Sequence, residues 1–289
     1  MSWRTVAKKD FRDAVQSRAL WALVAVFAGL SVISTYAFVE VPELFGAMGE
    51  ATLAELLLFS AGLTGLFVPL AAIVVCYKSL AGERELGSIK LLLSLPTTRR
   101  SVFAGKVVGR AGVLAFGLGV GLVIGLGFGS VLLGTVDVLS ILVFLVATLV
   151  FGGIYAAIVV SISATTGSTS RATTLALGFF VVFELFWDVV PMGIIYVVSG
   201  FSFPAEMPDW MFLVTQLAPS SAYFSTILAL LPDLAATAGA APAQETGVDA
   251  TAAGADAFYV TPEVGIVVLA LWLLVPLVVG YARFDAADL

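Results

Sequence analysis

The segment YKSLAGERELGSIKLLLSLPTTRRSVFAGKVVGR, which runs from Tyr77 to Arg110, is the only long charged segment in an otherwise apolar chain. It separates two apolar runs, residues 56–77 and 111–133, and each run is long enough to cross a membrane as a helix. Because charged side chains are costly inside a bilayer, such a segment belongs in water at one membrane surface. We therefore expect a surface loop between two membrane-spanning helices.

The overall composition is that of an integral membrane protein. Of the 289 residues, 60% are hydrophobic and 12% are charged, whereas a soluble domain carries about 25% charged residues. The apolar runs are continuous and do not alternate with polar residues, which favours helices over a β-barrel. The predicted fold class is therefore all-α, with residues 1–289 forming one polytopic transmembrane domain.

Six apolar runs have the length of a membrane-spanning helix. Their approximate bounds are residues 19–39, 56–77, 111–133, 138–162, 172–190 and 264–281, and the fifth can also be extended to Val198. In the third run, Gly121 and Gly125 have the G-x-x-x-G spacing that permits a second helix to approach closely. A dimer interface at this pair is one interpretation of that spacing.

The basic residues orient the predicted helices. With six spans, the N-terminus, loops 78–110 and 163–171, and the C-terminus share one side of the membrane. All 14 Lys and Arg residues lie on that side or at its boundary. Because Lys and Arg accumulate in cytosolic loops, we predict a multi-pass protein of the cell membrane with both termini in the cytosol.

Residues 199–263, between the fifth and last spans, are predicted to form an extracellular loop. Its apolar part, residues 213–231, is interrupted by Pro219, Ser220 and Ser221, which fit the start of a helix better than a catalytic serine. We expect a re-entrant or interfacial helix there, with a seventh full crossing as the alternative. Residues 232–256 are rich in Ala, Gly and acidic residues and are predicted to be disordered.

The N-terminal residues 1–18 have the pattern of an amphipathic helix. Apolar residues that can share one side are Trp3, Val6, Phe11 and Val15, and the basic residues are Arg4, Lys8, Lys9, Arg12 and Arg18. A basic amphipathic helix ahead of a first span is expected to lie in the plane of the lipid headgroups. The alternative is a solvated basic tail that only orients the first span.

The charged loop 78–110 contains a short apolar stretch of its own. Glu83 and Glu85 precede a leucine-rich run, and acidic residues suit the start of a helix. Pro96 ends that helix at about Leu95, so it has roughly 10 residues and is too short to span. A second helix is predicted to begin at residues 97–100 and to continue into the third span. The short helix either docks on a partner protein or is an ordinary interfacial loop.

The motif in this loop resembles that of a known family. Residues Glu83–Lys106 read E-R-E-L-G-S-I-K-L-L-L-S-L-P-T-T-R-R-S-V-F-A-G-K, similar to the G-E-R-E-x-G-T-x-x-x-L-L-S-x-P-x-S-R pattern of ABC-type-2 transporter permeases. Ser88 stands where that pattern has Thr, and Thr98 where it has Ser. The late segment Leu217–Tyr223, L-A-P-S-S-A-Y, is also similar, although Ala218 replaces the usual Asn. Within the family, the subgroup suggested is the NosY-like permeases associated with nitrous oxide reductase maturation and copper.

The resemblance implies a coupling helix that contacts a separate cytosolic ATPase. The residues it marks as ATPase contacts are Glu83, Glu85, Leu86, Gly87, Leu92, Arg99 and Arg100. The chain has no G-x-x-x-x-G-K-[ST] motif of its own, because Ser88 stands where the segment Gly82–Ser88 would need Lys. The expected partners are therefore an ABC ATPase subunit, a second permease protomer and membrane lipid, with no nucleic acid and no cofactor.

Two carboxylates fall within the predicted fifth span. Glu184 and Asp188 are four residues apart and share a face of a regular helix. Acidic residues inside a membrane are expensive and mark functional sites by default, so the pair is a candidate substrate path. The alternative is the outer end of a helix, with Trp187 as an aromatic residue of the membrane interface.

The sequence also removes several function classes. It contains no His and a single cysteine, Cys76, which excludes His-dependent catalysis, an internal disulfide and a cysteine metal cluster. The leading hypothesis is the membrane subunit of an ABC transporter, working by alternating access and without enzymatic activity of its own. A stand-alone ion-coupled carrier that uses Glu184 and Asp188 is the alternative, and a polytopic membrane enzyme comes third.

Overall fold

The computed structural model describes residues 2–41, 51–89, 97–204, 208–240 and 261–287. In these ranges the regular structure is helical and no strand occurs, which confirms the all-α class. The helices are α1 Trp3–Val15, α2 Arg18–Glu40, α3 Leu53–Cys76, α4 Ala81–Glu85, α5 Arg99–Leu133, α6 Val138–Ala164, α7 Thr169–Phe180, α8 Val189–Val198, α9 Asp209–Gln216, α10 Pro219–Leu230, α11 Pro232–Ala240 and α12 Val264–Asp285, with a π-helical turn, Val181–Leu185, after α7.

The described helices include five that are each long and apolar enough to cross a membrane, contributed by α2, α3, α5, α6 and α12. Two further candidates are bent pairs. Thr169–Leu185 meets Val189–Val198 at 57°, and Pro219–Leu230 meets Pro232–Ala238 at 116°. The protein is therefore a multi-pass membrane protein with five to seven candidate spans, and the exact number of six stays a prediction.

The helix that starts within the charged loop 78–110 continues into the third span, as predicted. Thr98 is its N-cap, since the side-chain oxygen accepts a hydrogen bond from the Ser101 backbone N–H at 3.2 Å. The helix α5 then runs unbroken for 35 residues. A single rigid element therefore connects the charged loop to the far end of the third span.

A row of glycines on α5 accepts α1 and α2 of the same chain. A Cβ placed on Gly121 would lie 2.7 Å from the Cβ of Phe27, and one on Gly105 would lie 2.6 Å from the Cβ of Val6. These distances are too short for any side chain, so helices α1 and α2 can approach α5 this closely only because both positions are glycine. The G-x-x-x-G pair at Gly121 and Gly125 thus packs within one protomer, which corrects its interpretation as a dimer contact.

The core lies around α6. Its side chains Phe144, Phe151 and Tyr155 are fully buried, and the Phe151 ring stacks on Tyr223 of α10 with 4.3 Å between ring centroids. Helices α3, α5, α7, α10 and α12 pack around α6. The helix α6 is therefore the central helix of the described bundle.

The fifth predicted span is not a regular helix. The π-helical turn follows α7 directly, and the chain bends before α8 begins at Val189. Glu184 lies within the π-helical turn, and Asp188 is the N-cap residue of α8. The two carboxylates therefore do not share the face of one continuous helix, and the prediction that they do is wrong.

The apolar part of the predicted extracellular loop, residues 213–231, falls on α9 and α10, and the short helix α11 follows directly. Pro219 is the first residue of α10, so Ser220 and Ser221 do mark a helix start. The prediction of disorder for residues 232–256 is wrong at its beginning, because Pro232–Ala240 is helical. Residues 241–256 lie outside the described ranges.

Candidate functional site

Helix α4 lies at the end of the second span and is held by one serine of α6. The Ser163 hydroxyl accepts hydrogen bonds from the backbone N–H groups of Leu80 and Ala81, at 3.2 and 3.0 Å, and donates one to the Tyr77 carbonyl at 2.7 Å. Ser163 is fully buried. The first backbone N–H groups of a helix need such acceptors, so Ser163 fixes where α4 begins.

The other side of α4 is attached to the end of α6 and the start of α7. The Arg84 guanidinium donates to the Ala164 carbonyl at 3.0 Å, and the Thr169 backbone N–H donates to the Glu85 carboxylate at 2.8 Å. Thr169 is the first residue of α7. Glu85, one of the predicted ATPase contacts, is thus exposed but already accepts a hydrogen bond from its own chain.

An ion-pair network joins α1, α4 and α5. The Lys106 ammonium lies 2.8 Å from a carboxylate oxygen of Asp10 and 2.6 Å from one of Glu83. The Arg110 guanidinium lies 2.9 Å from the other Asp10 oxygen. The Lys106 and Asp10 side chains are 9% and 6% exposed, so this pair is shielded from water. Glu83, a predicted ATPase contact, is 26% exposed and is partly used inside the chain.

Asp10 belongs to this network, and no motif in the sequence marks it. This residue lies one helical turn after Val6, on the side of α1 that faces α5, and it is buried. An acidic residue on the apolar side of an amphipathic helix is a signal that a basic partner covers it. The helix α1 is therefore docked on α5 by its apolar side, while Lys8, Lys9 and Arg12 remain exposed.

Arg99 closes the end of the last span. Its guanidinium donates to the carbonyl oxygens of Phe284, Asp285 and Ala287 at 3.3, 2.5 and 2.8 Å. The last carbonyls of a helix have no partner within it, and a cation also suits that end of the helix dipole. Arg99, another predicted ATPase contact, thus caps α12, whereas the neighbouring Arg100 is exposed.

One of the exposed predicted contacts is apolar. Leu86 follows α4 directly and is 84% exposed. The next residue, Gly87, has φ +69°, a left-handed conformation that favours glycine, and a Cβ there would meet only open space. The chain therefore turns sharply at Gly87 and leaves Leu86 at the turn. The remaining predicted contact, Leu92, lies outside the described residues.

A second candidate site is an open cavity of about 590 Å³ between α3, α9, α10 and the π-helical turn. Glu184 lines it, together with polar residues from α9 and α10, whereas Asp188 is not part of the lining and is exposed. The Tyr155 hydroxyl donates a hydrogen bond to Glu184, and Ser220 lines the same cavity. The predicted pair is therefore separated, with Glu184 alone in the cavity.

No metal site is evident within the described ranges. They contain no group of three or more His, Cys, Asp or Glu side chains close enough to hold a metal ion. Cys76 is a buried free thiol at the end of α3. Neither the charged network nor the cavity therefore offers a metal centre built from these residue types.

The comparisons with known proteins agree with the membrane architecture and the loop motif. The model of the ABC-2 family transporter protein matches residues 4–289. A probable ABC transporter permease protein NosY from Pseudomonas aeruginosa is 29% identical over 260 residues, which is 86% of this chain and 89% of that protein. A probable ABC transporter permease protein NosY from Stutzerimonas stutzeri is 28% identical over 224 residues, or 72% of this chain and 76% of that protein.

The family has a direct consequence for the partner. A permease of this kind is a transport subunit, and the family implies association with an ATP-binding subunit. The match covers nearly the whole chain, from the docked helix α1 to the C-terminus. The chain belongs to the ABC-2 family of transporter proteins and is the membrane subunit of an ABC transporter.

Proposed function

We propose that this permease moves its substrate across the cell membrane by alternating access, driven by a cytosolic ATPase that docks on the loop between α3 and α5. Both termini are then in the cytosol, on the side that carries all 14 basic residues. The single observation that carries the proposal is the exposed Leu86, set between the anchored helix α4 and the turn at Gly87. An exposed apolar side chain at a fixed position beside charged ones is suited to contact a partner.

The anchoring of α4 supplies a route for the ATPase to move the spans. A displacement of α4 would reach α6 through Ser163, α7 through Glu85, and α5 through Glu83 and Lys106. Each of these connections is a hydrogen bond or ion pair between different helices. Closure of the ATPase would therefore be transmitted to three candidate spans at once. Glu83 and Arg99 take part in this transmission through their contacts within the chain. The residues proposed to contact the ATPase are Glu85, Leu86, Gly87, Leu92 and Arg100.

The functional unit proposed is a dimer of permease protomers with two ATPase chains, embedded in lipid. The side of α1 that faces away from α5 carries exposed basic residues and the partly exposed Trp3, which suit the headgroups of anionic lipids. The substrate path is proposed to include the cavity at Glu184. Asp188, exposed at the start of α8, would lie at the mouth of this path.

Co-purification with the ATPase tests the docking site. Leu86→Asp should abolish co-purification of a co-expressed ATPase subunit, because it places a charge where the partner packs. The matched control is Leu139→Asp. Leu139 is 71% exposed and lies in the first turn of α6, at the end of that helix opposite Ser163. An acidic residue suits the helix dipole at this position. Normal ATPase recovery with Leu86→Asp, at normal membrane insertion, would contradict the proposed docking site.

A further inference from the structure

The cavity at Glu184 has the size and the lining of a small-molecule site. Its volume of about 590 Å³ lies within the range of about 300–1,000 Å³ that ligand pockets occupy. Apolar side chains, among them Leu66, Met211 and Phe224, make up part of the wall. A few polar groups converge between them, which is the arrangement that fixes the orientation of a bound molecule.

The charge of the lining is unbalanced. Among the described residues, Glu184 is the only charged one that lines the cavity, and none of them forms an ion pair with it. The sequence itself has no Lys or Arg between Arg110 and Arg171, or between Arg171 and Arg283. A partly buried carboxylic acid without a basic partner either keeps its proton or loses it to pair with a cation from outside the protein.

The polar groups beside Glu184 also favour a hydrogen-bond donor. The side-chain oxygen of Gln216 is buried and has no hydrogen-bond partner in the described structure. A buried acceptor without a partner costs free energy until a donor reaches it. The hydroxyls of Ser221 and Ser225 line the same cavity and can accept further hydrogen bonds.

We propose that this cavity binds an organic cation, an ammonium group attached to a compact apolar body. The ammonium group would donate to Glu184 and Gln216, and the apolar body would lie against Phe224 and Met211. An anionic ligand would be repelled by Glu184 and would find no basic side chain in the lining. The inference rests on the proposed substrate path, because it names the chemical class that the path would accept.

Binding of phenethylammonium tests the inference, with 2-phenylethanol as the neutral molecule of nearly the same shape. Both are titrated by calorimetry into the purified full-length permease in lipid nanodiscs, and empty nanodiscs supply the background. We expect saturable binding of the cation and at least tenfold weaker binding of the alcohol. Glu184→Gln should weaken cation binding at least tenfold, and Gln216→Leu about threefold. Glu40→Gln, which changes an exposed carboxylate at the end of α2 and outside the lining, should leave it unchanged.

The opposite outcomes overturn the inference. Equal binding of the cation and the alcohol would show that the charge is not recognised, as would an unchanged affinity in Glu184→Gln. Gln216→Leu provides a second test if Glu184→Gln fails to fold. The calorimetric measurement needs no ATP. If the cation does not bind selectively but the ATPase still co-purifies with the permease, only the proposed ligand class is rejected. If the unchanged permease does not co-purify with the ATPase subunit, the proposed function is rejected instead.

Discussion

The Lys106 ammonium lies 2.6 Å from the Glu83 carboxylate, so a residue of the long helix α5 is bonded to a residue of the short helix α4. The same ammonium contacts Asp10 of α1 at 2.8 Å. One basic side chain thus holds together three separate parts of the chain, each at the cytosolic end proposed for the protein.

Removing the Lys106 charge should destabilise this end of the protein. In Lys106→Met, only Arg110 remains to balance the carboxylates of Asp10 and Glu83. Breaking a buried ion pair in this way costs about 3 kcal/mol or more of the free energy of unfolding. We expect a lower midpoint of thermal unfolding in detergent. Lys9→Met is the control, because Lys9 is exposed on α1. Equal midpoints for the two variants would argue against the network.

Two serines near the end of α6 should respond in opposite ways to substitution by alanine. Ser163→Ala leaves the N–H groups of Leu80 and Ala81 without their acceptor, which costs about 1–3 kcal/mol for each buried group. The Ser161 hydroxyl is buried and has no hydrogen-bond partner among the described residues, so Ser161→Ala should be neutral or stabilising.

The same pair of variants separates coupling from stability. With Ser163→Ala, α4 loses its attachment to α6. We therefore expect this variant to change the ATP hydrolysis rate of the ATPase less than the unchanged permease does when the two are reconstituted together. Ser161→Ala should leave the coupling unchanged and should not lower the midpoint of thermal unfolding. Full coupling in Ser163→Ala would contradict the proposed route through Ser163.

Glycine positions on α5 provide a test of the packing with α2. A Cβ at Gly121 would lie 2.7 Å from that of Phe27, so Gly121→Ala should destabilise the protein by about 1–3 kcal/mol. At Gly127 a Cβ would meet nothing within 4 Å, and Gly127→Ala should stabilise the helix by up to about 1 kcal/mol. Thermal unfolding that ranks the two variants in the reverse order would refute the assignment of the packed face.

Arg99 and Arg100 are adjacent but should differ in their effect on the last helix. Arg99→Met removes the donor to three carbonyls at the end of α12, so we expect faster amide hydrogen exchange in residues 280–287. Arg100→Met is the matched control, since Arg100 is exposed, and exchange in that segment should not change. Identical exchange in both variants would show that Arg99 does not cap α12.

Much of the helical architecture could be predicted from the sequence because apolar runs of membrane length have few other solutions. The run at 138–162 predicted α6, and the start predicted at residues 97–100 for the helix leading into the third span agrees with α5. The resemblance in the loop motif pointed to the family that the whole-chain match shows. These features depend on neighbouring residues alone.

Other features depend on contacts between distant residues and could not be predicted. Asp10 and Lys106 are 96 positions apart, so only the packing of α1 on α5 brings them together. The π-helical turn at Val181–Leu185 contains no Gly or Pro to mark it, and it separates Glu184 from Asp188. The spacing of Gly121 and Gly125 predicted a close approach, but it could not say which helix would make it.

The row of glycines on α5 has a mechanical consequence. Since α1 and α2 both lie against this one helix, the first 40 residues and α5 should rotate as a single lever. At 1.5 Å per residue, the 35 residues of α5 extend over roughly 52 Å. A rotation of about 5° about its cytosolic end would move the opposite end by roughly 4–5 Å, by simple geometry from that length. A movement of an ångström or less beside Lys106 would thus become, on the far side of the membrane, a displacement as wide as a small solute.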